Sequence, residues 1–305
     1  MSDTLESLSR KIHGAKDLES VVRTMKVLAA SSIGQYEKAL RSLDDYFRAV
    51  EMGLYVYFRQ FKNGFEPAGK KCEKNNGVVT DIAQGLKIDA LVIGSDQGLV
   101  GQFNDALACF AAGKMAESGA PENIWAAGER ICSCLESMGV KTAGVFEVPG
   151  SAAAITPLVS RIILEFEAAR PYGAETPLYI FYNRPARGAA YEPCAVKLLP
   201  LDESWRLNLM KTPWPTKKIP EVIRPGPDAL LALVREYIFV VLFRACAGSL
   251  ASENACRLAA MQRAEKNIGE LLEELNLSFH RLRQSSIDEE LFDVVSGFEA
   301  HGLRE

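Results

Sequence analysis

The stretch whose residue types come nearest to reaction chemistry is Gly94-Ser-Asp-Gln-Gly98-Leu-Val-Gly101. It follows a short apolar run, Ala90 to Gly94, and precedes a helix-like stretch, Phe103 to Glu117. A glycine-rich turn between strand and helix can present backbone N–H groups and a helix dipole to phosphate. Here the spacing is neither G-x-G-x-x-G nor G-x-x-x-x-G-K-S/T, and no lysine follows where a phosphate needs one. Glycines at such a position also serve plain strand-to-helix geometry. Asp96 is the only acid in the turn. As a Brønsted acid it lacks a second carboxylate or a histidine, whereas as a helix or turn cap it needs neither.

Other reactive residues form no constellation. His13, His280 and His301 lie in the terminal stretches, and no Ser/His/Asp or Cys/His set can be assembled locally. The seven cysteines are an odd set with no C-x-x-C pair, which reads as free thiols of a reducing cytoplasm. Cys132 and Cys134 have no paired Cys or His ligands for a metal. The residues therefore predict no catalytic centre, no cofactor and no metal.

The elements that must position the Gly94 turn are unusual. From Met1 through Leu5, Leu8, Ile12, Ala15, Val22, Ala29, Ile33, Tyr36, Leu40, Leu43, Phe47, Val50, Leu54, Tyr57 and Phe61, apolar residues alternate at three and four. Only Glu19 and Lys26 interrupt that register. Such spacing predicts a helix with one narrow seam that packs on another helix, roughly 85 Å long. Its match begins after the proline-rich 204–227. Ala247, Ala251, Leu258, Met261, Ile268, Leu272, Leu275, Phe279 and Leu282 repeat every 3.5 residues, with Asn254 and Glu265 as polar interruptions. A helix over 228–300 would be roughly 110 Å long.

Between the helices the periodicity changes. Lys62 to Gly77 is polar and aperiodic, a loop. Strand signals at 90–94, 123–127, 140–145, 178–182 and 195–199 alternate with helical stretches at 103–117, 128–138 and 153–169. The pattern predicts a small α/β, Rossmann-like domain with a mainly parallel sheet, over 78–203. Residues 204–227, holding five of the fourteen prolines, read as a stiff irregular connector. The organisation is thus a helix over 1–61, the inserted α/β domain, the connector, and a second helix over 228–300. Anchored on one domain, the helices pair antiparallel. With Phe61 level with Asp228, residue 3 stands opposite residue 286. Near that point a shifted apolar set takes over: Ile287, Leu291, Val294, Val295 and Phe298. The tip is then either an amphipathic helix covered by another protein or an end folded back on the chain. Small residues on both helices (Ala29 to Ser32; Ala245, Ala247, Gly248, Ala251, Ala255, Ala259, Ala260) have two readings, close helix approach or simple helix propensity.

Composition narrows the class. Hydrophobic content of 48% and charged content of 24% are those of a globular protein, and no segment reaches the ~20 apolar residues of a membrane span. A net charge of −4 with scattered basic residues predicts no nucleic-acid partner. The polar N-terminus is not a secretory signal. Three classes of protein fit: a helical shaft built on an α/β domain, a nucleotide-dependent enzyme using the Gly94 turn, and a coiled-coil adaptor.

Four stretches separate them. Val21-Val-Arg-Thr-Met25-Lys26-Val-Leu-Ala29-Ala30-Ser31 resembles I-T-x-A-M-x-x-V-A-A-S-K of the gamma subunits of rotary ATP synthases. Ser95-Asp96-Gln97-Gly98-Leu99-Val100-Gly101-Gln-Phe-Asn104 resembles their S/T-D-R-G-L-C-G-x-F/L-N. Ser249-Leu-Ala-Ser252-Glu253-Asn-Ala-Cys-Arg257-Leu-Ala-Ala-Met261 resembles L-A-S-E-x-x-A-R-x-x-A-M. Arg283-Gln284-Ser-Ser-Ile287-Asp288-Glu-Glu290-Leu-Phe-Asp293 resembles A-R-Q-x-x-I-T-x-E-L/I-x-D/E. The resemblance implies a non-catalytic rotor, one copy per complex, on the cytoplasmic face of the cell membrane. Its coiled coil would stand within a ring of alpha and beta subunits, and its α/β domain would meet the epsilon subunit and the membrane c-ring. By position, Met25, Lys26 and Arg257 would face the mobile beta-subunit lever. Arg283, Gln284, Asp288 and Glu290 would meet the beta-subunit catch loop, and Ile287, Leu291 and Phe298 the apical sleeve. The sequence departs from the pattern at Ser32 (lysine in the family), Gln97 (arginine), Val100 (cysteine) and Asp288 (threonine). It also lacks the cysteine loop of the redox-regulated chloroplast forms, and it resembles a divergent bacterial type.

Overall fold

A computed structural model of the chain describes residues 4–61, 87–169, 176–186, 189–201, 203–218, 220–222 and 226–302. The loop expected over Lys62 to Gly77 lies outside them. Two long helices frame the sequence: α1 (Leu5–Gln60) and α6 (Pro227–Gly302). The chain divides into two compact units, one of residues 1–30 and 257–305, the other of residues 31–256.

The larger unit is built on a five-stranded sheet of order β3-β2-β1-β4-β5. Its strands are β1 (Lys87–Ile93), β2 (Ala120–Ala127), β3 (Gly144–Phe146), β4 (Leu178–Ala186) and β5 (Ala189–Leu199). The first four run parallel, and β5 returns antiparallel to β4. Only two residues separate β4 from β5, too few for a crossover helix, so the return has to be a hairpin. Pro193 sits within β5, the sheet's edge strand, where a missing N–H is tolerated.

Both faces of the sheet are covered, which is why β1 reads as a continuous apolar run instead of an alternating one. Ala90 and Val92 pack beneath α2 (Phe103–Ser118) and α3 (Glu129–Ser137), with Leu107, Ala111, Ile131 and Leu135 fully buried. Leu91 and Ile93 face the other way, against Ile155, Val159 and Ile162 of α4 (Ile155–Ala169) and Leu242 to Ala251 of α6. Burying each such Leu or Ile contributes roughly 1.5–3 kcal/mol. Here three of the small residues of α6 find their reason: Ala245, Ala247 and Ala251 are at most 3% exposed. The helix lies close enough for Ser249 Oγ to donate to the Ile93 carbonyl at 3.0 Å. Close packing on a sheet, more than helix–helix approach, explains them.

Two expected elements differ. The strand read over 140–145 is confined to Gly144–Phe146, because Val140 N–H closes the end of α3 on the Leu135 carbonyl at 3.0 Å. The stretch 204–227, read as irregular, opens with a helix, α5 (Glu203–Lys211). Its Leu209 is buried, and Trp205 packs edge-on against Tyr237 (centroids 5.1 Å apart) and Phe58 (6.2 Å). Prolines begin only at Pro213, so nothing in the local chain opposes the helix.

Candidate functional site

The carboxyl end of the sheet collects the Gly94 turn, and its contacts are architectural. Asp96 accepts two backbone N–H bonds, from Glu129 to Oδ1 at 3.0 Å and from Val148 to Oδ2 at 2.8 Å. It therefore caps α3, the helix after the next strand, and ties it to the segment following β3. Asn104, in the first turn of α2, accepts from Ser95 N at 3.0 Å and donates to Ser95 Oγ at 2.9 Å. Asn183 of β4 donates to the Phe103 carbonyl at 3.0 Å. A Cβ on Gly94 would stand 2.4 Å from Ile131 Cβ, and one on Gly128 (φ 119°) would stand 2.6 Å from the Ser95 carbonyl. Both glycines are needed so that α3 can lie against the turn. The side of the turn at Gly94 is filled by α3, and the Asp96 carboxylate is spent on backbone N–H groups. Of the two readings of this turn, tight geometry describes it. Gln97, Gly98, Leu99 and Gly101 are its exposed residues, with Leu99 at φ 63°.

The smaller unit is the two-helix coil itself. Leu8, Ala15 and Ala29 of α1 and Met261 of α6 are buried at its seam. The residue facing Glu265 in the expected register is 24; its observed ion-pair partners are Arg23 at 3.7 Å and Lys26 at 2.5 Å, one on each side. The polar interruptions of the two seams thus answer each other, and the Lys26 ammonium holds the Glu265 carboxyl below its ordinary range. Glu19, the other interruption, accepts from Arg23 at 2.9 Å. Within the larger unit the two helices are antiparallel as well. The counterpart expected for Asp44 is 245, and Arg244 meets it at 3.4 Å. Asn254, buried, turns back to donate to its own helix at the Leu250 carbonyl (2.8 Å).

Pairing ends where the sequence changes register. Among the described side chains of α6, Ser286 is the last half-buried one, and every residue from Ile287 to Ser296 is exposed. Ile287 is 52% exposed, Leu291 65% and Phe292 74%, and Val294 and Val295 are exposed too. The helix continues to Gly302 without folding back. Among the expected contact residues, Arg283, Gln284, Asp288 and Glu290 are all exposed on this part of α6; Met25 and Arg257 are half-buried. Lys26 is half-buried and pairs with Glu265 across the coil. The side chain of Phe298 lies outside the described residues. Sequence reading passed over Phe292 and the exposed Leu18, Val21, Val27 and Leu28 of α1. Their signal is present: an apolar residue out of a two-helix register cannot reach the partner helix.

The cysteines among the described residues are free thiols. Burial in the core beneath α6 pushes Cys246 up to about 12, so it stays protonated and inert.

Comparison with known proteins adds a decisive observation. A family model described as ATP synthase matches residues 4–301. The chain belongs to this family, that of the ATP synthase gamma chains. The ATP synthase gamma chain of Glaesserella parasuis is 27% identical over 300 residues, spanning 96% of this chain and 97% of that protein. That of Haemophilus influenzae is 26% identical over 299 residues, with the same coverage. The fold is similar to solved structures as well. A chain of the Euglena gracilis mitochondrial ATP synthase in rotational state 3 has a TM-score of 0.65 at 15% identity, over 99% of this chain and 96% of that one. A chain of the Euglena rotor in rotational state 1 gives 0.63 at 15% identity, over 93% and 98%. A chain of the Tetrahymena thermophila central stalk and c-ring gives 0.52 at 19% identity, over 80% and 99%. Among the described residues, no helix of this family member is long and apolar enough to cross a membrane.

Proposed function

We propose that this gamma chain is the central rotor of a rotary ATP synthase or ion-translocating ATPase, transmitting rotation between a membrane c-ring and nucleotide sites on beta subunits. The observation that carries this is the family match over residues 4–301, which takes in both long helices and the α/β domain. The exposed apolar row Ile287, Leu291, Phe292, Val294 and Val295 fits it: a helix end this apolar requires a covering protein, here the apical sleeve of an alpha/beta ring. The chain itself performs no catalysis; the Gly94 turn is a structural knot and the beta subunits supply the chemistry. Its α/β domain, residues 78–203, meets the epsilon subunit and the c-ring, and it reaches the cytoplasmic face of the membrane only through that complex.

Met25 and Arg257 face the beta-subunit lever, while Arg283, Gln284, Asp288 and Glu290 meet the catch loop. Lys26 acts at one remove, by setting the register of the coil through Glu265. Exposed ion pairs contribute only ~0–1 kcal/mol each, which suits contacts that form and release on every turn. The test is affinity capture from the native membrane. The expected result is alpha, beta, epsilon and c subunits with one copy of this chain, and no ATP hydrolysis by the chain alone. Capture without an alpha/beta ring, or hydrolysis by the purified chain, would sink the proposal. In reconstituted vesicles, R257E or E290K should reduce ATP-driven ion transport more than assembly; equal losses of the two would remove these residues from the coupling contact.

A further inference from the structure

Two thiols on neighbouring helices of the larger unit have no role in the rotor reading. Cys109 is exposed on α2, and Cys134 is half-buried on α3. Each helix leaves the carboxyl end of one of two parallel strands, β1 and β2, so the two run the same way. They are in contact and start level: a Cβ on Gly94 would stand 2.4 Å from Ile131 Cβ of α3 and 2.7 Å from Asn104 Oδ1 of α2. From that common start Cys134 is three residues along α3 and Cys109 five along α2. At about 1.5 Å per residue they differ in height by only about 3 Å. Cys134 also faces α2, since its Sγ lies 3.5 Å from Oδ1 of Asp105. Cys109 is one turn beyond Asp105 on the same face of that helix.

The other described cysteines are placed differently. Cys132 leaves α3 on another side, where its Sγ meets Glu136 at 3.5 Å and Thr142 at 3.3 Å. Cys246 and Cys256 are buried, and Cys194 on β5 donates to the Tyr182 carbonyl at 3.4 Å. A disulfide needs Cα atoms about 4.4–6.8 Å apart, a spacing that facing positions of two packed helices provide. The two thiols of the pair also differ in character. Burial, and then the Asp105 carboxylate, push the Cys134 thiol above its ordinary range despite Arg130. It therefore stays protonated and leaves the first encounter with an oxidant to the exposed Cys109.

We propose that Cys109 and Cys134 are a peroxide-responsive pair, in which Cys109 is oxidised first and Cys134 closes a disulfide between α2 and α3. The Cys109 thiolate attacks one oxygen of hydrogen peroxide, the O–O bond breaks, and the departing hydroxide takes up the thiol's proton as water. Cys109 is left as a sulfenic acid. Cys134 then passes its proton to Asp105, and its sulfur attacks the sulfenic sulfur. The S–O bond breaks, and that hydroxide leaves as a second water with the proton Asp105 had taken. Two thiols are oxidised and one peroxide is reduced to two waters. In a reducing compartment such a bridge is transient, as suits a sensor and not a structural disulfide. While it lasts, it fastens α3 to α2 beside the Gly94 turn. It requires no partner subunit and stands apart from the rotor reading.

The experiment treats the purified, reduced full-length chain with hydrogen peroxide, blocks the remaining thiols with iodoacetamide, and maps tryptic peptides without reduction. The expected product joins the peptide 88–114, whose one cysteine is Cys109, to the peptide 131–141, and it is lost on treatment with dithiothreitol. The second peptide holds both Cys132 and Cys134, so the bridge should persist in Cys132→Ser and be absent from Cys134→Ser. Dimedone, which captures sulfenic acids, should label Cys109 more heavily in Cys134→Ser, where the closing thiol is gone, and should leave Cys134 unlabelled in Cys109→Ser. Mapping the unaltered chain decides the pairing even where a variant fails to fold. The inference is overturned if both thiols remain free after peroxide, or if Cys109 is bridged to Cys132 or Cys72 instead of Cys134. It is equally overturned if the bridge forms only between two copies of the chain, or if dimedone marks Cys134 and not Cys109.

Discussion

Two carboxylates illustrate how differently the two units of this chain are held. Asp96 lies at the carboxyl end of the sheet and accepts backbone N–H groups from two segments that come 33 and 52 residues later. Glu265 lies on a half-exposed helix seam and accepts from the long, flexible side chain of Lys26. The first ties the backbone of two distant segments to one turn. The second fixes register between two helices that the apolar seam already holds, and it responds to salt and pH. The lesson is that the α/β unit is specified by close backbone approach, whereas the coil is specified by spacing and trimmed by charge.

This contrast can be broken most directly at Gly94. Gly94→Ala forces Cβ to within 2.4 Å of Ile131 Cβ and should lower unfolding stability by roughly 3 kcal/mol in urea titration. A loss near zero would mean that α3 does not rest on the turn. Asp96→Asn comes next. One amide oxygen cannot serve two N–H donors while its NH₂ confronts one of them, so we expect a loss of roughly 1–3 kcal/mol. If Asp96→Asn leaves the unfolding midpoint where it was, the capping role assigned to the carboxylate is wrong.

The coil should respond in a different way. Because Lys26 lowers the Glu265 pKa on folding, the bridge is fully present above the unfolded value of 4.5 and disappears as pH falls through the lower folded value. Glu265→Gln should therefore flatten the acid limb of a stability–pH curve and leave the alkaline limb untouched. A flattening on the alkaline side would contradict the sign. The smallest expected effect is at the tip: Leu291→Asp and Phe292→Ser should change the stability of the isolated chain by less than about 0.5 kcal/mol. The same substitutions should weaken capture of the alpha/beta ring, and a large stability loss would show that the tip folds back on this chain after all.

Much of the smaller unit was legible from residue spacing. The seam residues, the partners of Glu265 to within two positions, and the end of pairing at Ser286 all follow from a 3.5-residue repeat and one anchoring pair. The sheet was legible in outline from apolar runs, but β3 was placed too early, because Val140 is used to end α3. The antiparallel β5 was not foreseen as such, and α5 was hidden by the prolines that follow it. Of the expected contact residues, Lys26 also has a partner within the coil, Glu265, 239 residues away, which spacing alone does not name.

By itself, then, the sequence determined that two long helices exist, that they run antiparallel, and where one outlasts the other. A coiled coil is a one-dimensional repeat, and its geometry follows from periodicity alone. Only the tertiary structure decided that Asp96 ties α3 and the segment after β3 to the Gly94 turn, and that Ala245, Ala247 and Ala251 of α6 lie on the sheet. Those facts depend on which distant segment fills a given space, and close packing, unlike periodicity, leaves no regular trace along the chain.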